Sequence, residues 1–250
     1  MRQRGFSLLE ILVAVAIFTV ISGAVFGLLN VAQQRYRMEN EFMESFQGAR
    51  LAMDQITRDV HSAGYPPANS FQPGIGAANP QLVAVPFAWP QGSGYPGAPC
   101  LVNGGCPING GPAINDLIIE GNIDPENGTS VEWVRYQLNR TTLMRAVATK
   151  VAGGDPETTT RALLTAYVDN VMNNTSAAEM AQIQQFYPTM FPGGAPIPIF
   201  TYRTEAGTGP ANIREVEITL IVRAANPDPR NRQLRVVTLT GRARRMNPSQ

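Results

Sequence analysis

From Phe6 to Leu29, twenty-four consecutive residues are apolar or small and hydroxylic, with one exception, the carboxylate of Glu10. A helix needs about 20 such residues to cross the hydrocarbon core of a bilayer. This end of the chain is therefore expected to leave water as one helix rather than join a globular core. Arg2 and Arg4 precede it, and the change from polar to apolar falls between Gly5 and Phe6. A secretory signal has a shorter apolar region with a small-residue cleavage site after it. Here the break comes first, so a cut between Gly5 and Phe6 would remove five residues and leave the span attached. An uncut membrane anchor with an incidental glutamate is the plainer alternative.

An ionisable side chain near the end of a membrane span is penalised and is expected to have a partner. Cleavage after Gly5 would create one, because Phe6 would then carry a free amine, about one helical turn from Glu10 and on the same face. Glycine, then phenylalanine, then glutamate four residues on resembles the type IV prepilin signal. The resemblance implies cleavage between Gly5 and Phe6 by prepilin peptidase, N-methylation of Phe6, and pairing of Glu10 with the N-terminal amine of a neighbouring subunit. Glu10 is on this reading an assembly residue. Gly23 and Gly27 form a G-x-x-x-G pair that lets helices approach closely, although glycine is common in membrane helices in any case. Major pilins often carry proline at the position matching Gly27.

The chain has a formal charge of +1, and without Arg2 and Arg4 the balance is 18 basic against 19 acidic residues, or −1. Nothing in that balance suggests a nucleic-acid binder. The positive-inside rule keeps the leader in the cytoplasm and exports everything after Leu29. The expected location is the bacterial inner membrane, single-pass with the head in the periplasm, and later a pilus or pseudopilus. In that oxidising compartment Cys100 and Cys106 are expected to close a small disulfide loop. A metal site would need more ligands, and the single histidine, His61, is far away in sequence.

The helix is expected to run on, from about Ser7 to His61, because no proline occurs before Pro66. Phe42, Phe46, Ala49, Met53, Ile56 and Val60 recur at helical spacing, while the charged residues, Asp59 among them, fall largely off that stripe. The Ala63-Gly64-Tyr65-Pro66-Pro67 run ends the helix, and His61 reads as a last-turn residue rather than a ligand. Residues 1–5 are then a leader, 6–29 a membrane or filament-core helix, 30–65 its amphipathic continuation and 66–250 a head. Within the head, 66–116 is rich in glycine and proline, with one strand candidate at Leu82–Phe87, and so long an irregular segment is often a functional surface. Further candidates are a strand at Leu117–Glu120, a hairpin of Val131–Leu138 with Leu143–Ala148 about Asn139-Arg140, the segment Arg161–Asn173, a polar helix at Ala177–Phe186 and a strand at Phe200–Arg203. A last hairpin turns at Asn226-Pro-Asp-Pro229. Its expected register pairs Ile218 with Leu239, Leu220 with Val237 and Glu215 with Arg242. The fold class is α+β and pilin-like: a long N-terminal helix packed on an antiparallel β-sheet head with long loops.

Three later pieces resemble the PilW family of minor pilins and its relative, the type II secretion pseudopilin J. They are A-x-x-x-x-x-R-D with A-G-Y in QGARLAMDQITRDVHSAGY (47–65), the tyrosine and following L-x-R in VRYQLNRTTLMR (134–145), and the closing pair IREVEITLIVRA (213–224) and VVTLTGRARRMN (236–247). The resemblance implies a minor pilin acting in pilus assembly, priming or a tip complex. Its implied partners are prepilin peptidase, other minor and major pilins, the inner-membrane assembly platform and a tip adhesin. A J-like pseudopilin at the tip of a secretion pseudopilus remains the alternative.

Other function classes find little support. Nucleophilic catalysis by serine or cysteine usually needs a base, most often histidine, and only His61 is present. There is no P-loop, no zinc spacing and no cofactor motif. Asp116 with Glu120, and Asp155 with Glu157, read as solvated strand-end and loop charges, and Asp124, Glu126 and Asn127 fall short of a calcium ligand set. Arg230, Arg232, Arg235, Arg242, Arg244 and Arg245 form an acid-free run that could meet DNA phosphates or protect an edge strand. An adhesive surface around Trp89, Tyr95 and the cysteine loop is a third reading.

Overall fold

The computed structural model of the protein describes residues 7–72, 74–88, 115–124, 130–205, 212–227 and 233–247. Helix α1, Leu8–Ser62, is unbroken over 55 residues, about 80 Å at 1.5 Å per residue. Ser7 is its N-cap, and the helix ends before Gly64, which takes a φ of 80°. The apolar side chains from Leu8 to Leu29 are exposed, with no contact to the rest of the molecule to cover them. This is the single helix among the described residues long and apolar enough to cross a membrane, with mean hydropathy 2.6 over its best stretch.

The second half of α1 packs on the head. Ala49, Ala52, Ile56 and Val60 are fully buried and Met53 packs against them, which is the expected stripe. After the one-turn helix α2 (Ile75–Ala78) come β1 (Asp116–Gly121), β2 (Glu132–Asn139), β3 (Thr142–Thr149), α3 (Pro156–Arg161), β4 (Thr165–Val168), α4 (Ala177–Phe186), β5 (Phe200–Thr204), β6 (Ile213–Arg223) and β7 (Val236–Arg244). Two antiparallel sheets result, ordered β1-β2-β3-β4 and β5-β6-β7. Both contribute to one core against α1, where Leu117, Ile119, Trp133 and Tyr136 of the first sheet join Phe200, Val216, Ile218 and Leu220 of the second. A smaller cluster lies under α4, where Met180 and Ile183 meet Met172, Phe191, Ile221 and Val236. The α+β architecture is thus the expected one.

Two glycines set how closely α1 lies on the sheets. A Cβ on Gly241 would stand 2.8 Å from Met53 Sδ, and one on Gly121 would stand 2.8 Å from Ser62 O. Both distances lie inside van der Waals contact. At Gly121 the neighbour is helix backbone, so a side chain there would lift the helix, while at Gly241 the Met53 side chain would have to turn aside.

Two expectations are corrected. Leu82–Phe87 is not a strand: Pro80–Leu82 forms a 3-10 turn, and a single bridge joins Phe87 to Ile119. In the last hairpin Leu220 pairs with Leu239, Val222 with Val237, Ile218 with Gly241 and Glu215 with Arg244. The register is displaced by two residues from the expected one. A slip of two keeps every side chain on its own face, so alternation along the strands does not distinguish the two pairings.

Candidate functional site

The N-terminal turn of α1 holds the one carboxylate of the apolar span. Ser7 N–H donates to Glu10 Oε2 at 2.9 Å, and Glu10 N–H donates to Ser7 Oγ at 3.2 Å. This reciprocal pair is a capping box, satisfying two of the donors that every helix start leaves open. The signature S-x-x-E is readable in Ser7-Leu-Leu-Glu10, although the membrane-span reading of this segment passed over it. The local box satisfies part of the carboxylate's hydrogen bonding but leaves Glu10 exposed, with no hydrogen bond beyond its own turn among the described residues. Gly23 and Gly27 have nothing within 4 Å of where a Cβ would stand, and so lie open on the same exposed half-helix. Gly5, Phe6, Cys100 and Cys106 lie outside the described residues, as do Trp89 and Tyr95.

The head carries buried charges that the sequence did not reveal. Asp59, expected to lie off the apolar stripe, is 3% exposed. It accepts from Tyr136 Oη at 2.5 Å, from Arg145 Nη2 at 3.2 Å and from Gln55 Nε2 at 2.8 Å. Arg145 also donates to Tyr136 Oη at 2.9 Å, with its guanidinium 5.6 Å above that ring. Burial and the Asp59 carboxylate both push the Tyr136 phenol well up, so it remains a donor at any ordinary pH. This knot ties the last turns of α1 to β2 and β3. Asp59, Tyr136 and Arg145, from the end of α1 and the β2–β3 hairpin, thus meet in the head.

Asp116 and Glu120 are likewise not solvated charges. Glu120 is 0% exposed. It accepts from Lys150 Nζ at 2.8 Å, Trp133 Nε1 at 2.8 Å and Val85 N at 2.7 Å, while Lys150 also donates to Val83 O at 2.8 Å. Burial holds the Glu120 carboxyl above the usual range against the pull of Lys150. The pair pins the segment around Val83–Val85 to the first sheet, doing with charges what a strand there would have done with a ladder. Asp116 accepts from Arg135 Nε at 2.9 Å and Nη2 at 2.6 Å, a bidentate pair. By contrast Asp155 caps α3 through Thr158 N at 2.9 Å, and Glu157 makes a half-exposed pair with Arg161. Asp124 is exposed, while Glu126 and Asn127 are outside the described residues. Among the described residues no three His, Cys, Asp or Glu side chains converge as metal ligands.

The C-terminal arginines do not form one open basic face. Arg242 approaches Glu215 at 3.8 Å and Arg244 approaches Glu205 at 3.9 Å. Arg235 is exposed, Arg245 is buried, and Arg230 and Arg232 are outside the described residues.

Residues 1–26 match the prokaryotic N-terminal methylation motif. No curated protein and no solved structure matches the chain.

Proposed function

We propose that this chain is a minor pilin of the PilW type. The observation that carries the reading is the methylation motif over residues 1–26 at the head of one 55-residue helix, open along its first half and packed along its second. That motif makes the N-terminus prepilin-like and favours a structural over a catalytic protein. Cleavage between Gly5 and Phe6 gives a Phe6 amine that prepilin peptidase methylates. The first half of α1 then leaves the lipid and packs among the helices of other pilins, with Gly23 and Gly27 at the closest approaches. Glu10 exchanges part of its capping box for the amine of a neighbouring subunit, a charge-assisted bond that its own turn cannot supply. Cys100 and Cys106 form a disulfide in the exported head. The meeting of Asp59, Tyr136 and Arg145 supports the PilW type, since residues that carry the likeness serve one structural task.

The test is the intact mass and N-terminal sequence of the protein from membranes with and without prepilin peptidase, for the wild type and for Glu10→Val. A chain beginning at N-methyl-Phe6 only when the peptidase is present is expected, with Glu10→Val cut but absent from filaments. A chain that retains Met1–Gly5 beside active peptidase would leave an anchored periplasmic domain and end the proposal.

A further inference from the structure

Three arginines meet where β7 ends beside the C-terminal turn of α1, and one of them has no side-chain hydrogen-bond partner among the described residues. The backbone N–H of Arg245 donates to Arg214 O at 2.8 Å, and the following N–H, of Met246, reaches His61 O at 3.4 Å. Asn247 Nδ2 donates to Ala63 O at 3.2 Å, and Arg214 Nη1 donates to Asn247 O at 3.0 Å. Arg245 is thereby fixed between β6 and the end of α1. It is 1% exposed, and its Nε, Nη1 and Nη2 are all buried with no hydrogen-bond acceptor among the described residues. The carboxylate at this corner, Glu205, is engaged by Arg214 at 2.5 Å and by Arg244 at 3.9 Å. Among the described residues the corner therefore sets three guanidiniums against one carboxylate.

Such an arrangement calls for a counter-ion. Burial and the neighbouring Arg214 push Arg245 down to about 10, which still leaves it a cation at neutral pH. A buried charge without a partner is strongly disfavoured, and a buried polar group with no partner calls for an explanation such as an ion. The planar fork of a guanidinium matches the paired oxygens of a carboxylate or a phosphate. Duplex DNA does not fit, because a side chain this buried cannot reach the phosphates of a rigid double helix.

We propose that Arg245, backed by Arg214, binds a small oxyanion, a carboxylate or phosphate-type group, at the junction of β6, β7 and the C-terminal turn of α1. Binding would neutralise the corner and lock the last residues of β7 against the helix. This does not depend on the pilin reading, since it concerns only groups within the head.

The test uses the full-length, detergent-solubilised chain labelled with nitrogen-15. Sodium phosphate and sodium acetate are titrated separately against chloride at constant ionic strength, following the Arg Nε–H signals and Tm. The Arg245 signal is the one missing from Arg245→Lys. It is expected to move saturably with phosphate or with acetate, the responding anion identifying the geometry of the site. At ten times the Kd of that anion, Tm should rise by about 3–6 °C for a one-site ligand on a domain of this size. Arg245→Met should abolish the response, while Arg203→Met, on the open face of the same sheet, should keep it. A wild-type signal that follows neither anion, or an Arg245→Met protein that responds as the wild type does, overturns the site. If the Arg245 variants do not fold, the wild-type Tm in the same titrations decides. A rise that saturates with the anion as a single site does supports the proposal, and no rise, or one linear in anion concentration as a surface-exclusion effect is, overturns it.

Discussion

Ser7-Leu-Leu-Glu10 and Ser176-Ala-Ala-Glu179 build the same capping box in two different surroundings. In both, the serine hydroxyl accepts from the glutamate N–H, at 3.2 Å and 3.3 Å, and the carboxylate accepts from the serine N–H, at 2.9 Å and 3.4 Å. At α4 the carboxylate is held further by the Thr175 hydroxyl, and the helix it opens is anchored by buried Met180 and Ile183. At α1 the carboxylate has only its own turn, and the helix it opens has no cover as far as Leu29. The same local motif thus ends in a finished structure in the head and in an unfinished one at the N-terminus. A carboxylate held only by its cap can be handed to a newcomer more readily than one that a further hydroxyl holds at the start of a packed helix.

That contrast can be attacked by substitutions, beginning with the largest effect. Lys150→Met would leave Glu120 buried without its cation and should lower head stability by about 3–5 kcal/mol, measured by chemical denaturation in detergent. The double variant Glu120→Gln with Lys150→Met removes the buried charge but keeps an acceptor for only one of Trp133 and Val85, which meet different oxygens of Glu120. It should recover part of the loss. Ile56→Ala should cost about 2–5 kcal/mol as a core cavity, while Ile17→Ala, on the open half of the same helix, should leave the same unfolding curve unmoved. An equal loss from both would mean that the two halves are not differently partnered. Tyr136→Phe removes a donor to Asp59 and an acceptor for Arg145, at about 1.5–3 kcal/mol. A Tm indistinguishable from the wild type would show the knot to be dispensable.

The smallest effect separates the two boxes themselves. The Thr175 hydroxyl, chiefly, holds the Glu179 carboxyl below its usual value. A lowered folded value means that the unfolded chain binds the proton more readily, so this stability is present above the ordinary pH 4.5 and is lost as pH falls through the folded value. The Tm difference between wild type and Glu179→Gln should therefore be seen at neutral pH and close on acidification below 4.5. Glu10→Gln should leave head stability unchanged at both ends of that range.

Much of this molecule is legible along the chain. The ends of α1 and α4, the β2–β3 hairpin and the alternation on β6 follow from helical period, strand period, a capping serine, and the glycine and prolines after Ala63. These are properties of neighbours in sequence, so tertiary contacts are not needed to read them. Leu82–Phe87 misled because an apolar run with strand composition gains a ladder only if a partner strand is free, and β1 gives it one bridge at Ile119. The two-residue register error arose because alternation repeats every two residues. The burial of Asp59 was hidden because it sits beside a stripe that alternation of type alone marks as apolar.

The sequence by itself determined that the chain has one segment long and apolar enough to cross a membrane, and that this apolar span carries a single carboxylate one turn from Phe6. Length and composition suffice for that, because the apolar character of a twenty-four-residue span is a sum over the residues themselves. Only the tertiary structure decided which charges are buried and with whom: Glu120 with Lys150, Asp116 with Arg135, Asp59 with Tyr136 and Arg145, and Arg245 with no described partner. The physical reason is that an ion pair is favoured by the distance and dielectric between groups brought together from strands far apart in the chain, and neither quantity is written in the order of the residues.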